Sequence, residues 1–175
     1  MLRLLLVRHA EAMSHAPGGD RERPLTKHGL AEAAKLGRYC QANGLVPLLA
    51  LVSPARRARE TFAAMLEAFS STLPEAVTDE LYHADVEGLR DLLGRIPSAA
   101  ETLLMIGHNP ALAEFARSLV DPRQSDPRRL HHFPAPCLAV IDFRATAWSD
   151  ASNGGGRLER FVHFAGMLAD DRPSS

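Results

Sequence analysis

The feature that most constrains this chain is an apolar run that begins almost at its N-terminus and stops on two polar residues: Leu4-Leu5-Leu6-Val7, then Arg8-His9. Apolar residues with no polar alternation are expected of a strand buried on both faces, as in a parallel sheet covered by helices. The pattern recurs twice. Residues 48–52 run into Ser53-Pro54, and residues 102–106 run into Gly107-His108-Asn109-Pro110. Side chains at the carboxyl ends of parallel strands face the crevice where open α/β sheets bind ligands. An arginine there offers a fork of N–H donors to phosphate or carboxylate, and a histidine beside it can act as nucleophile or base.

Between these runs the apolar spacing is helical. Thr26 is the predicted N-cap of a helix carrying Leu30, Ala33, Leu36 and Cys40 on its apolar face, and Asn43-Gly44 supplies its stop. Gly37 inside that helix either weakens it slightly or lets a neighbour pack close. A second helix is expected over residues 55–69, with Ala58, Phe62, Met65, Leu66 and Phe69 on one face. Ala76-Val77 reads as a short strand, residues 86–96 as a helix, and residues 110–120 as another, with Pro110 in its first turn. After a charged loop over residues 121–132, two strands are expected at 137–143 and 157–163, separated by Trp148 and a turn at Gly154-Gly155-Gly156. Strands alternating with helices predict an α/β domain around a mainly parallel sheet with an antiparallel end.

A chain of 175 residues fits one domain, placed at residues 1–166, with 167–175 as a flexible C-terminal tail. The net charge of -1, with no run of one sign, argues against a nucleic-acid or membrane-surface binder. No apolar segment is long enough to span a membrane, and Arg8-His9 interrupts the opening run too early for a signal peptide, so a cytoplasmic setting is expected. Cys40 and Cys137 read as core thiols rather than a disulfide or metal pair. His15, His28, His83, His131, His132 and His163 show no ligand spacing, and no metal or other cofactor is expected.

If the three apolar runs are parallel neighbours, their polar ends converge on one cationic cavity holding Arg8, His9, the Arg56-Arg57 pair and His108. Such a site suits a dianionic phosphoryl group. A histidine that attacks phosphorus forms a phosphohistidine intermediate, which water then hydrolyses. Taken singly, each residue has a plainer reading: His9 and His108 as hydrogen-bonded caps, Arg8 as an ion-pair partner of Glu11, Arg57 as surface charge. Arg23 either faces the site or supports its loop. Arg128-Arg129 with His131-His132 is a solvated basic patch or a dock for an acidic partner.

In order, the segments resemble the histidine phosphatase superfamily and, within it, the short SixA-type phosphohistidine phosphatases. The matching pieces are Arg8-His9, Arg23-Pro24-Leu25-Thr26 with Gly29, and Ser53-Pro54-Ala55-Arg56-Arg57-Ala58 with Thr61. They continue through Asp79-Glu80-Leu81-Tyr82, Gly107-His108-Asn109-Pro110 and Phe133-Pro134, covering roughly residues 1–143. The resemblance implies a three-layer α/β/α domain of the phosphoglycerate mutase-like fold. It implies His9 as the phosphorylated nucleophile, Arg8 and Arg57 as binders of phosphoryl oxygens, and His108 as a hydrogen-bond donor to them. Arg57 is chosen over Arg56 and Arg59 because it precedes Ala58 and stands four residues before Thr61, as in the family pattern.

Two positions depart from that pattern. Ala10 replaces the usual glycine, and His83 stands where mutase-like relatives carry the glutamate that acts as general acid. Glu80, His83 and Asp85 are therefore the candidates for an acid. A phosphate ester leaves as an alkoxide and gains much from an acid, whereas a phosphoramidate leaves as neutral imidazole once its ring is protonated. The missing glutamate and the modest loops over the site favour as substrate a phosphohistidine presented on another protein's surface; the chain itself is expected to be a monomer or weak dimer. The alternatives are a phosphatase of small phosphoesters, such as sugar phosphates or nucleotides, and a non-catalytic phosphate-binding or partner-binding module.

Overall fold

In the computed structural model, which describes residues 1–70 and 72–163, the first apolar run forms strand β1 (Leu2–Arg8). The later runs form β2 (Leu49–Val52) and β4 (Thr102–Gly107), with a short β3 (Glu75–Val77) between them. Strands β5 (Cys137–Phe143) and β6 (Arg157–His163) complete one six-stranded sheet, ordered β3-β2-β4-β1-β5-β6. β1 lies parallel to β4, β4 to β2, and β2 to β3; β5 runs antiparallel to both β1 and β6. The expected parallel sheet with an antiparallel end is therefore present. The predicted tail at 167–175 lies outside the described residues.

Both faces are covered, as the unbroken apolar runs require. Along β1, Leu2, Leu4 and Leu6 enter one core while Leu5 and Val7 enter the other, because successive side chains point to opposite faces. Helices α1 (Lys27–Ala42) and α2 (Arg56–Leu66) pack on the Leu5/Val7 face through Leu36, Cys40, Ala58, Phe62 and Met65. The other face carries α3 (Glu80–His83), α4 (Val86–Gly94), α5 (Ala111–Leu119) and α6 (Trp148–Ala151). Cys40 and Cys137 are buried thiols among these side chains, and burial pushes Cys40 up to about 12.

Helix boundaries follow their caps. Thr26 accepts from the Gly29 amide and Asp85 from the Gly88 amide, each fixing a helix start. The apolar face of α1 differs from expectation in one respect: Leu30 is 42% exposed, and the packed face is Gly29, Ala33, Leu36, Gly37 and Cys40. The two glycines turn that face inward because backbone passes directly against them. A Cβ on Gly37 would lie 2.4 Å from the Met65 carbonyl oxygen of α2, and one on Gly29 would lie 2.1 Å from that of Glu11. Apolar spacing registers Leu30 as core; the close approach that excludes it is visible only in three dimensions.

Candidate active site

The register of the central strands assembles the site. Arg8 pairs with Gly107 across β1 and β4, and the His9 amide donates to the Gly107 carbonyl. Ser53, one residue past β2, donates its amide to the Ile106 carbonyl. Three strand ends thus lie side by side, and their next side chains, His9, His108 and Ser53, share one edge. The His9 and His108 ring centroids are 5.1 Å apart. Arg57 enters from the first turn of α2, where Thr61 ties the helix to the strand end by accepting from the Ala10 amide at 3.0 Å.

The open cavity at this edge, about 350 Å³, is lined by Arg8, His9, Glu11, Arg23, Arg57 and His108 among others. His9 is fixed in one tautomer. Its Nδ1 lies 2.7 Å from the Ala10 carbonyl oxygen, which can only accept, so Nδ1 carries the proton and Nε2 keeps its lone pair. Arg57 Nε points at that Nε2 from 3.2 Å. Burial, reinforced by His108, Arg57 and Arg8, pulls the His9 pKa down to about 3, against the Ala10 bond that favours the charged form. His108 falls to about 4, first through burial and then through Arg57. Both rings are neutral at ordinary pH.

Several polar groups here lack protein partners. Arg8 gives Nη1 to the Phe133 carbonyl at 2.8 Å, which the Asn109 amide also shares, while its Nε is buried without a hydrogen bond. His108 Nε2 meets the Ser53 hydroxyl at 2.7 Å, and its Nδ1 is buried and unpaired. With Ser53 donating, Nδ1 holds a proton for which the site supplies no acceptor. Unpaired buried donors cost about 1–3 kcal/mol each. Grouped around one cavity, they describe a receptor for an anion.

These are the features of a phosphoryl-transfer site, and the chain's similarities agree. The model of the histidine phosphatase superfamily, branch 1, matches residues 4–92, just over half of the chain. The chain belongs to the histidine phosphatase superfamily. A solved SixA protein of Nakamurella multipartitia, assigned as a phosphohistidine phosphatase, is 30% identical and superposes with a TM-score of 0.80, over 93% of this chain and 95% of that one. A SixA protein of Agrobacterium tumefaciens, assigned likewise, is 29% identical with a TM-score of 0.73, over 93% and 97% of the two chains. A protein histidine phosphatase SixA complexed with tungstate shares the fold at 21% identity and a TM-score of 0.77, over 92% and 96%. Within the superfamily this histidine phosphatase is of the SixA type.

Of the residues singled out in the sequence, Arg8, His9, Arg57 and His108 meet at the cavity. Arg57 is 5% exposed and bonded to His9, whereas Arg56 is exposed and paired with Glu60, which separates the two arginines as expected. Arg23 does both things foreseen for it, lining the cavity and pairing with Asp20 at 2.8 Å. Glu11 accepts from the Thr26 hydroxyl, and no ion pair joins it to Arg8. Two of the acid candidates are bonded elsewhere, and the third, His83, shares a neighbouring cavity with His108. Glu80 is ion-paired with Arg95, Asp85 caps α4, and His83 is exposed beyond the Tyr82 ring.

Two residues at the rim escaped the sequence reading. Asp20 accepts from Arg57 Nη2 at 3.0 Å, from Arg23 Nε at 2.8 Å and from the Tyr82 hydroxyl at 2.8 Å; its carbonyl also takes Arg57 Nη1. Tyr82 lies edge-on to His108 with centroids 5.6 Å apart. Asp20 sits three residues before Arg23-Pro24-Leu25-Thr26 in an otherwise polar loop, and that spacing was its one available signal. Among the described residues, no group of three or more His, Cys, Asp or Glu side chains is placed to hold a metal ion, and no helix is long and apolar enough to cross a membrane.

Proposed function

We propose that this histidine phosphatase hydrolyses phosphohistidine on a partner protein through phosphorylation of His9. The observation that carries the reading is the tautomer lock: Ala10 holds the Nδ1 proton, which leaves on Nε2 a lone pair, contacted by Arg57 Nε at 3.2 Å, in a ring that lines a cavity with Arg8, Arg23 and His108. Arg8, Arg57 and His108 Nδ1 would bind the phosphoryl oxygens, whose negative charge offsets the burial of these groups.

In the first step Nε2 attacks phosphorus. The substrate P–N bond breaks and its electron pair returns to the departing ring, which leaves as neutral imidazole if its other nitrogen carried a proton. His9, now phosphorylated on Nε2 and protonated on Nδ1, is an imidazolium stabilised by the Ala10 carbonyl. Water then attacks phosphorus, the P–Nε2 bond breaks, and neutral His9 and dihydrogen phosphate result. Neither step needs a proton from a protein acid. That suits a site in which Glu80 and Asp85 are already occupied.

The test is hydrolysis of a phosphohistidine peptide and of para-nitrophenyl phosphate, side by side in EDTA. A strong preference for the phosphohistidine peptide is expected. Comparable or better turnover of the ester would move the substrate to small phosphoesters, and a requirement for added divalent metal would contradict the mechanism.

A further inference from the structure

We propose that Asp20 determines specificity by accepting a hydrogen bond from the ring N–H of the departing imidazole, selecting phosphohistidine over phosphate esters. The inference rests on the phosphohistidine reading above and names the group that recognises its leaving ring.

Asp20 opens the 3-10 turn Asp20–Glu22, which Arg21 fastens to the start of α3 through Asp79. Its carboxylate is bonded to two arginines that line the cavity and to the tyrosine packed on His108. It therefore stands beside the cavity that those arginines line, with 54% of its side chain open to solvent. Oδ2 takes two of the three side-chain bonds and Oδ1 takes one. A carboxylate offers about four acceptor positions, which leaves one on Oδ1 for a ligand.

The charge on Asp20 is fixed. The Tyr82 hydroxyl, then Arg57 and Arg23, hold its pKa down to about 2, so it is no proton donor near neutral pH. Facing it are Arg57 from α2, Arg23 from its own loop and Tyr82 from α3, with Arg8, His9, Glu11 and His108 deeper in the cavity. A permanent carboxylate repels the developing oxyanion of an ester leaving group. It favours an imidazolium, which needs an acceptor for its N–H until the P–N bond breaks and the ring departs neutral. The two rings that exchange the phosphoryl group would then be held alike: His9 Nδ1–H by the Ala10 carbonyl, the substrate ring N–H by Asp20.

Because the substrate ring is most cationic before the bond breaks, removal of Asp20 should appear mainly in KM. In Asp20→Asn the ratio of kcat/KM for a phosphohistidine peptide to that for para-nitrophenyl phosphate should fall by about tenfold or more, and Asp20→Glu should recover part of it. An equal loss on both substrates would make Asp20 only a latch for Arg57 and overturn the proposal, as would an unchanged ratio. The wild-type enzyme gives a second reading should the variants not fold. A carboxylate beside the bound ring raises the ring's pKa, so the alkaline limb of kcat should lie at higher pH than that of kcat/KM; coincident limbs would overturn the proposal. Labelling of His9 by the phosphohistidine peptide separates the two levels of inference. Labelling with an unchanged ratio in Asp20→Asn removes the role of Asp20 alone, whereas no labelling of wild type removes the phosphohistidine reading and this proposal together.

Discussion

Arg3 and Arg8 stand near the two ends of β1 and meet opposite surroundings. Arg3 gives Nε and Nη2 to the two oxygens of Asp142, both at 2.7 Å, and this bond raises its pKa above the ordinary arginine value. Arg8 has one carbonyl partner and a buried, unpaired Nε, and burial pulls its pKa down. Each arginine lines an open cavity, of about 360 Å³ at the Arg3 end and about 350 Å³ at the Arg8 end. Volume therefore does not tell the ends apart. The Arg3 end supplies carboxylates for two of its three arginines, Asp142 for Arg3 and Glu159 for Arg157. The Arg8 end leaves donors waiting. An arginine matched by a carboxylate through both Nε and Nη2, as Arg3 is, holds the fold; one with a buried, unmatched Nε, as Arg8 is, is placed to hold a ligand.

The sharpest way to break this comparison is at its chemical centre. His9→Ala should lower turnover by at least about a thousandfold and abolish phosphoenzyme formation, read by steady-state assay and labelling quenched in alkaline detergent, where phosphohistidine survives. Its melting temperature should hold or rise, since the variant no longer buries an imidazole. Next come the two arginines. Arg8→Ala should cut kcat/KM by about 10²–10³-fold with little change in stability. Arg3→Ala should leave kcat/KM within about threefold and destabilise the fold by about 1–3 kcal/mol, because Asp142 is left without its partner. Urea unfolding and kinetics on the same preparations check both, and the reverse pattern would mean the ends have been assigned the wrong way round.

The smallest effect concerns pH. Native His9 and His108 resist protonation until about pH 3 and about pH 4, whereas an unfolded histidine titrates near 6.5. As pH falls from about 6.5 toward 4, the unfolded chain takes up protons that the native site refuses, so stability declines over that window. In His108→Gln the loss of melting temperature between about pH 7 and pH 5 should be smaller by a few degrees. Saturating inorganic phosphate should flatten the same slope in the wild type, because its negative charge favours the protonated rings.

Much of this molecule was legible before its structure. Unbroken apolar runs require strands covered on both faces, and the cores beside β1 are arranged that way. The cap at Thr26 and the polar residues that end β1, β2 and β4 are local chemistry, read within a few positions, whereas the cap at Asp85 emerged only in the fold. The family resemblance told Arg57 from Arg56 by its distance from Thr61, which in the fold accepts the Ala10 amide. Leu30 was misplaced because helical spacing cannot register backbone from elsewhere pressing on Gly29 and Gly37.

The sequence by itself determined the strands, their covered faces and a cluster of histidines and arginines at the strand ends, because these follow from short-range patterns and residue chemistry; the choice of Arg57 within that cluster came from the family resemblance. Tertiary structure alone decided what those residues are bonded to. It tied the acid candidates Glu80 and Asp85 to Arg95 and α4, and it brought Asp20 and Tyr82, which are 62 positions apart, together at the rim. Hydrogen-bond partners and proton positions depend on ångström distances between segments remote in the chain, and residue order does not encode such distances locally.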